Sequence, residues 1–114
     1  MARSTEQVYQ HHHEALSKGD IPAVMADYGA DAVLMTPEGA KVGSAAIQTA
    51  FVKMLSGFPN AKLSVTGHLG HGDYLMVMWK GDSDVATIPC GVDTIVIHDD
   101  KIRLQTVWFV TVSK

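Results

Sequence analysis

The sequence is poor in cysteine, in charge and in basic residues. Its 114 residues include one cysteine, Cys90, so no internal disulfide can form. Charged residues make up 18% of the chain, below the roughly 25% usual in globular proteins. The net charge of −3 argues against a nucleic-acid or anionic-membrane partner. With no signal-peptide pattern and no apolar run near the ~18 residues of a membrane span, we expect a cytoplasmic protein.

The remaining composition fits one globular domain over residues 1–114, because 46% of the residues are hydrophobic. Capping residues Ser4, Asp20 and Ser44 open three segments with helical spacing of apolar residues. We predict helices over 4–18, 20–28 and 44–56, and strands over 31–36, 62–69, 74–80, 85–98 and 102–112. The order α-α-β-α-β-β-β-β predicts an α+β fold with an antiparallel meander.

Several predicted strands are apolar at every position rather than at alternate positions. Residues 75–79, 95–97 and 107–110 are examples. An antiparallel sheet with one face in water should alternate, so both faces of this sheet should be buried. Three helices can cover one face only. We therefore predict a homodimer through the back of the sheet, with Trp79 and Trp108 in the interface because aromatic residues are enriched there.

Four segments resemble the SnoaL-like branch of the nuclear-transport-factor-2-like superfamily, which includes ketosteroid isomerases and polyketide cyclases. Together they extend over nearly the whole chain: 16–20 (LSKGD), 28–35 (YGADAVLM), 43–47 (GSAAI) and 93–102 (DTIVIHDDKI). The resemblance implies a strongly curved sheet around a cone-shaped cavity that the helices close, and a homodimer. It does not fix the function, because this superfamily contains enzymes, ligand binders and interaction domains.

The resemblance also indicates candidate catalytic positions. Where ketosteroid isomerases have a carboxylate base at the end of the first strand, this chain has Thr36. The oxyanion-donating tyrosine of the first helix corresponds to His12, and the second donor, a protonated aspartic acid, corresponds to Asp93. A supporting tyrosine is kept as Tyr28, and another becomes Phe51. Isomerisation by the known ketosteroid route is therefore not expected, because the base is missing.

His12 and Asp93 are the residues from which we expect chemistry. Helical spacing places His12 on an apolar face, and Asp93 lies on the strand face shared by Gly91 and Ile95. One hypothesis is that they form a hydrogen-bonded pair that activates a water or removes a proton from a carbon acid. The alternative is structural: Asp93 caps a local loop and His12 hydrogen-bonds to Tyr28. The tyrosine is expected to support rather than react.

The resemblance implies a cavity wall that is mostly apolar. Gln105 would be a polar group within it, or a polar residue at the edge of the sheet, and Thr36 would be a pocket hydroxyl. Methionine suits an adaptable pocket, although ordinary core packing would also use it. The expected substrate-binding residues are Leu34, Thr36, Phe51, Met54, Phe58, Met76, Met78, Gln105, Val107 and Phe109.

No metal or cofactor is expected. The histidines at 11–13 diverge around a helix, and no HExxH or CxxC spacing occurs. The sequence therefore favours a cofactor-independent isomerase, cyclase or hydrolase acting on a hydrophobic carbonyl- or epoxide-bearing small molecule. The alternative is a domain without catalytic activity that binds a hydrophobic ligand or only dimerises.

Overall fold

The computed structural model describes residues 3–114 and combines three helices with one six-stranded sheet. The helices are α1 (Thr5–Ser17), α2 (Ile21–Met25) and α3 (Ser44–Gly57). The strands are β1 (Tyr28–Thr36), β2 (Gly39–Val42), β3 (Lys62–His71), β4 (Tyr74–Asp82), β5 (Ala86–His98) and β6 (Lys101–Ser113). The α+β class is confirmed. None of the helices in residues 3–114 is long and apolar enough to cross a membrane.

The sheet is curved, open and mixed, with the strand order β2-β1-β6-β5-β4-β3. Strands β3 to β6 form the predicted antiparallel meander. Strand β1 runs parallel to β6, which the sequence analysis did not predict. Parallel neighbours need a long crossover, and here β2, α3 and strands β3 to β5 lie between them in sequence. Helices α1 and α3 pack on the concave face of the sheet, where the core lies.

Local capping signals explain where the helices begin and end. Ser4 and Gln7 form the predicted capping box, with the Ser4 side chain accepting from the Gln7 backbone N–H at 3.1 Å. Gly19 has φ +66°, the left-handed conformation expected after a helix. The Asp20 side chain caps α2 by accepting from Ala23. The prediction for α3 was wrong in one detail, because its N-cap is Gly43 and no side chain caps it.

The largest differences from the sequence prediction lie around β1. Helix α2 ends at Met25, and Tyr28 opens β1 instead of closing the helix. Tertiary pairing decides this: the Ile102 backbone N–H donates to the Asp27 carbonyl at 2.7 Å, which draws the chain into the sheet beside β6. The short strand β2 was not predicted. It pairs with the end of β1 after a tight turn in which the Glu38 backbone N–H donates to the Thr36 hydroxyl.

The concave face of the meander is set by the register between strands. On β5, Gly91 and Asp93 face the helices, as predicted. They lie opposite Trp79 and Val77 on β4, and directly opposed residues share one face of an antiparallel pair. Trp79 therefore points inward. The prediction that it belongs to the back of the sheet was wrong, because β4 is apolar at both parities and its sequence gives no alternation to read.

Gly91 makes the inward position of Trp79 possible. A Cβ at position 91 would lie 2.2 Å from Cε2 of the Trp79 indole, closer than any real contact. The indole therefore lies directly over the glycine. The back of the sheet is apolar and open in the single chain: Trp108 is 65% and Leu69 67% exposed, and Met76 is exposed too.

Candidate functional site

A small cavity of about 70 Å³ lies between α1, α3 and the concave face of the sheet. That volume holds a few waters, each of which needs about 10–15 Å³ by this measure. Its wall is mostly apolar, with polar atoms from both helix α1 and the sheet. The lining residues are Tyr9, His12, His13, Leu16, Phe51, Met54, Leu55, Phe58, Ala61, Leu63, Trp79, Ile88, Asp93, Gln105, Val107 and Phe109.

A carboxylate held by two donors lies in the cavity wall. The Trp79 Nε1–H donates to Asp93 Oδ1 at 2.9 Å, and the Gln105 Nε2–H donates to Asp93 Oδ2 at 3.0 Å. The Tyr28 hydroxyl donates in turn to Gln105 Oε1. Each group in this chain has a partner, so the position of the carboxylate is fixed from both sides. Gln105 is a buried cavity residue and not a polar residue at the sheet edge.

Burial controls the acidity of Asp93. Removal from water disfavours the charged carboxylate and raises its pKa from 3.8 to about 6, while the hydrogen bonds from Trp79 and Gln105 oppose this rise. Desolvation is the larger effect. Near neutral pH the group is thus mostly ionised but holds a proton far more readily than an exposed aspartate.

His12 has a different environment. It is buried, its Nδ1 has no hydrogen-bond partner, and its ring packs edge-on against Tyr28 at 5.5 Å and Phe51 at 5.9 Å between ring centroids. Burial lowers its pKa from 6.5 to about 4, although the charge of Asp27 acts in the opposite direction. His12 is therefore a neutral imidazole at physiological pH.

The predicted hydrogen-bonded pair of His12 and Asp93 is not formed. Within residues 3–114, the side-chain partners of Asp93 are Trp79 and Gln105, and His12 reaches the same cavity from α1 without bonding to the carboxylate. The structural alternative is also incorrect. His12 contacts the ring of Tyr28 and not its hydroxyl, and Asp93 bridges two side chains and caps no loop.

Tyr28 lies behind the site. It is buried, its hydroxyl is used by Gln105, and it does not line the cavity. Burial, together with the negative charges of Asp93 and Asp27, raises its pKa well above 10, so it remains a phenol. Its place in the structure is that of a support for Gln105.

Most of the other predicted pocket residues lie on the concave side. The cavity is lined by Phe51, Met54, Phe58, Gln105, Val107 and Phe109. Leu34 and Thr36 line a neighbouring groove instead. Met76 and Met78 were predicted wrongly: they alternate with the inward Leu75 and Val77, so they lie on the back of the sheet.

The neighbouring groove is larger than the cavity. It measures about 740 Å³ and lies between α3, the β1–β2 hairpin and β6. Its residues are Leu34, Thr36, Pro37, Glu38, Lys41, Ala46, Thr49, Ala50, Phe51, Lys53, Met54, Gly57, Phe58, Val107, Phe109 and Thr111. Five of these also line the cavity: Phe51, Met54, Phe58, Val107 and Phe109. The two spaces thus share one partition of apolar side chains.

Sequence reasoning missed two important cavity residues. Trp79 was placed on the wrong face because β4 carries no alternation. Tyr9 precedes His12 by three positions and stacks on His13 with ring centroids 6.1 Å apart. Helical i, i+3 spacing from His12 was the available signal for it. Burial and the charge of Asp93 raise the pKa of Tyr9 to about 12, so its hydroxyl is a proton donor at neutral pH.

No metal site is evident in the part of the chain that the structure describes. Residues 3–114 contain no group of three histidine, cysteine, aspartate or glutamate side chains placed to hold an ion. The cavity has a single carboxylate and neutral partners. Its arrangement suits proton transfer and hydrogen bonding to a substrate oxygen.

Comparison with known proteins agrees with this architecture. The model of the SnoaL-like domain family matches residues 9–113. A candidate polyketide cyclase from Sinorhizobium meliloti is 18% identical, with a TM-score of 0.79 over 89% of this chain and 93% of that one. A candidate ketosteroid isomerase from Kribbella flavida is 16% identical, with a TM-score of 0.80 over 96% and 80%.

A third similar structure is TerC, which was co-crystallised with polyporic acid. It is 17% identical and has a TM-score of 0.81 over 93% of this chain and 91% of that chain. No curated protein matches the sequence. At these identities the similarity establishes a shared fold, on which different functional sites can be built.

Proposed function

The chain belongs to the SnoaL-like domain family, and from that premise we propose that it is a cofactor-independent enzyme that moves a proton on a hydrophobic, carbonyl-bearing small molecule. Asp93 is the proton acceptor in this proposal. Isomerases and cyclases are the reaction classes concerned, since both can proceed through an enolate. The candidate polyketide cyclase and the candidate ketosteroid isomerase with the same fold are consistent with these classes.

The observation that carries the proposal is the carboxylate in the apolar cavity. A general base works best when its pKa is near the working pH, because it must be ionised and still bind a proton strongly. Burial gives Asp93 a pKa of about 6, and Trp79 and Gln105 fix its orientation. This base lies on β5. Its position therefore differs from that of the ketosteroid isomerase base, which would lie at the end of β1, where this chain has Thr36.

In the proposed step, Asp93 removes a proton from the carbon next to the substrate carbonyl. The C–H electron pair forms the new C=C bond, and the carbonyl π electrons move to the oxygen, which becomes an enolate. His12, a neutral imidazole, and Tyr9, a phenol, are the nearby groups able to donate hydrogen bonds to that oxygen. The protonated Asp93 then returns the proton to another carbon. In a cyclisation, the enolate carbon instead attacks a second carbonyl, whose π electrons move to its oxygen, and the protonated Asp93 gives its proton to the alkoxide that forms.

The test is hydrogen–deuterium exchange of weakly acidic ketones in D2O, followed by proton NMR. A suitable panel contains 2-tetralone, 1-indanone and cyclohexenones. We expect wild-type protein to accelerate exchange above the buffer rate, with a rate that rises as pH passes about 6. Asp93→Asn should lower it by about 100-fold or more, the usual contribution of a general base.

Ligand binding separates loss of catalysis from loss of the pocket. Naphthols mimic an enolate, and their fluorescence reports binding. Asp93→Asn should bind naphthols at least as tightly as wild type, because it removes a negative charge beside the naphtholate oxygen. If wild type binds naphthols but exchanges no ketone in the panel, the ligand-binding alternative is favoured. Exchange by Asp93→Asn at the wild-type rate refutes the assignment of the base.

We also propose a homodimer through the back of the sheet. The support is the row of exposed apolar side chains there: Met35, Leu69, Met76, Trp108, Val110 and Val112. A monomer rarely leaves such a patch open to water. Sedimentation should give twice the chain mass, and Trp108→Glu should give monomers. A wild-type monomer at micromolar concentration would contradict the dimer.

A further inference from the structure

The groove beside the cavity contains a cation without a partner. Lys41 lies on β2 opposite Leu34 of β1, so both share the concave face of the sheet and both line the groove. Lys41 is half-buried and forms no ion pair or side-chain hydrogen bond with any residue in 3–114. The other charges of the groove are Lys53 and Glu38, which pair with each other at 3.3 Å. The groove therefore has a net charge of +1 that nothing in the described chain neutralises.

The groove adjoins the proposed reaction site across a wall of apolar side chains. Phe51, Met54 and Phe58 of the α3 region, with Val107 and Phe109 of β6, separate the two spaces and line both. The cavity, at about 70 Å³, is far smaller than the groove, at about 740 Å³. Pockets for drug-sized ligands measure some 300–1,000 Å³, so the groove, and not the cavity, has the volume for the body of such a ligand.

We propose that the groove binds the distal part of the substrate and that Lys41 pairs with a carboxylate there. The ligand class is thus an apolar, mainly aromatic body with a reactive carbonyl at one end and a carboxylate at the other. This inference rests on the proposed function only for the carbonyl at the reactive end of the ligand. The aromatic and thioether side chains of the partition suit the flat apolar body, and Lys41 selects its charge.

A different role for Lys41 would be to protect the edge of the sheet. Strand β2 is an edge strand, and an inward-pointing charge on such a strand discourages pairing with another chain. This role makes no use of an anion. The two explanations differ in what happens when Lys41 is replaced, because only ligand selection predicts a change in preference between charged and neutral ligands.

The experiment compares matched ligands. The probes are 2-naphthols that bear an alkyl chain of two to five carbons ending in a carboxylate, each paired with its primary amide, and binding is followed by naphthol fluorescence. For the best chain length, wild type should bind the carboxylate about tenfold more tightly than the amide at low salt, and the preference should shrink as salt screens the charge. Lys41→Met should reduce the preference below about twofold, while Lys41→Arg should keep it.

Lys80→Met is the matched control, because Lys80 is exposed and lies outside the groove. It should retain the wild-type preference. The inference is overturned by an equal preference in wild type and Lys41→Met, by the absence of saturable binding at any chain length, or by a change of sedimentation in Lys41→Met that shows a second copy occupying the groove.

These outcomes are independent of the catalytic proposal. If Asp93→Asn still exchanges ketone protons at the wild-type rate while the Lys41-dependent preference is present, the proposed function fails and the groove assignment stands. If exchange depends on Asp93 but wild type prefers neither the carboxylate nor the amide, the proposed function stands and the groove assignment fails.

Discussion

The contribution of the Asp93 carboxyl group to the free energy of unfolding should be larger at acid pH than at neutral pH. Folding raises its pKa from 3.8 to about 6, so the native state binds this proton more tightly than the unfolded state. The stability linked to the bound proton is fully present below pH 3.8 and is lost as pH rises through about 6. At about 1.36 kcal/mol per pKa unit, the complete loss is about 3 kcal/mol.

Asp93→Asn removes this titration. The asparagine cannot accept two hydrogen bonds as the carboxylate does: one position becomes an NH₂ that faces the Gln105 donor, a conflict of about 1–3 kcal/mol unless the Gln105 amide turns over. That cost does not depend on pH. The difference in unfolding free energy, mutant minus wild type, should therefore rise by about 2.5 kcal/mol from pH 4 to pH 8, whatever its absolute value.

The assay is urea unfolding followed by circular dichroism at several pH values between 4 and 8. Because His12 titrates in both proteins, its contribution cancels in the difference. Asp31→Asn, at an exposed position, controls for the loss of one negative charge. If the difference in unfolding free energy between Asp93→Asn and wild type stays constant within about 0.5 kcal/mol over this range, the reasoning that burial raises the pKa of Asp93 is refuted.

Three further predictions follow from the same geometry. His12 has a depressed pKa, so its contribution to stability is present above pH 6.5 and is lost as pH falls through about 4; His12→Phe should remove about 3 kcal/mol of this acid sensitivity in urea unfolding. Gly91→Ala would force its Cβ into the indole of Trp79 and should cost at least about 2 kcal/mol and shift the tryptophan emission, whereas Gly57→Ala, with open space around it, should leave both nearly unchanged. Trp79→Phe removes a hydrogen bond to the ionised carboxylate, so the midpoint of the pH profile for ketone exchange should move above about 6; an unmoved midpoint would show that Asp93 does not set it.

Part of the site could be predicted because short-range geometry determines it. The i, i+4 spacing of Val8 and His12 on a capped helix fixes an inward histidine, whatever the helix packs against. On β5, the two-residue period of a strand places Asp93 on one face with Gly91 and Ile95, and the resemblance to the family indicates that this face lines the cavity. Both residues line the cavity, as expected.

The sequence by itself thus determined the presence of the three helices, the caps of α1 and α2, the inward face of α1, and the family. Tertiary structure decided the rest. The direction of Trp79 depends on the register of β4 against β5, and a strand that is apolar at every position contains no information about register. The parallel pairing of β1 with β6 joins segments far apart in sequence. The hydrogen bonds of Asp93 to Trp79 and Gln105 join neighbouring strands of the meander, but they depend on the register of those strands and on which way the side chains point. No local preference of a single segment encodes these contacts.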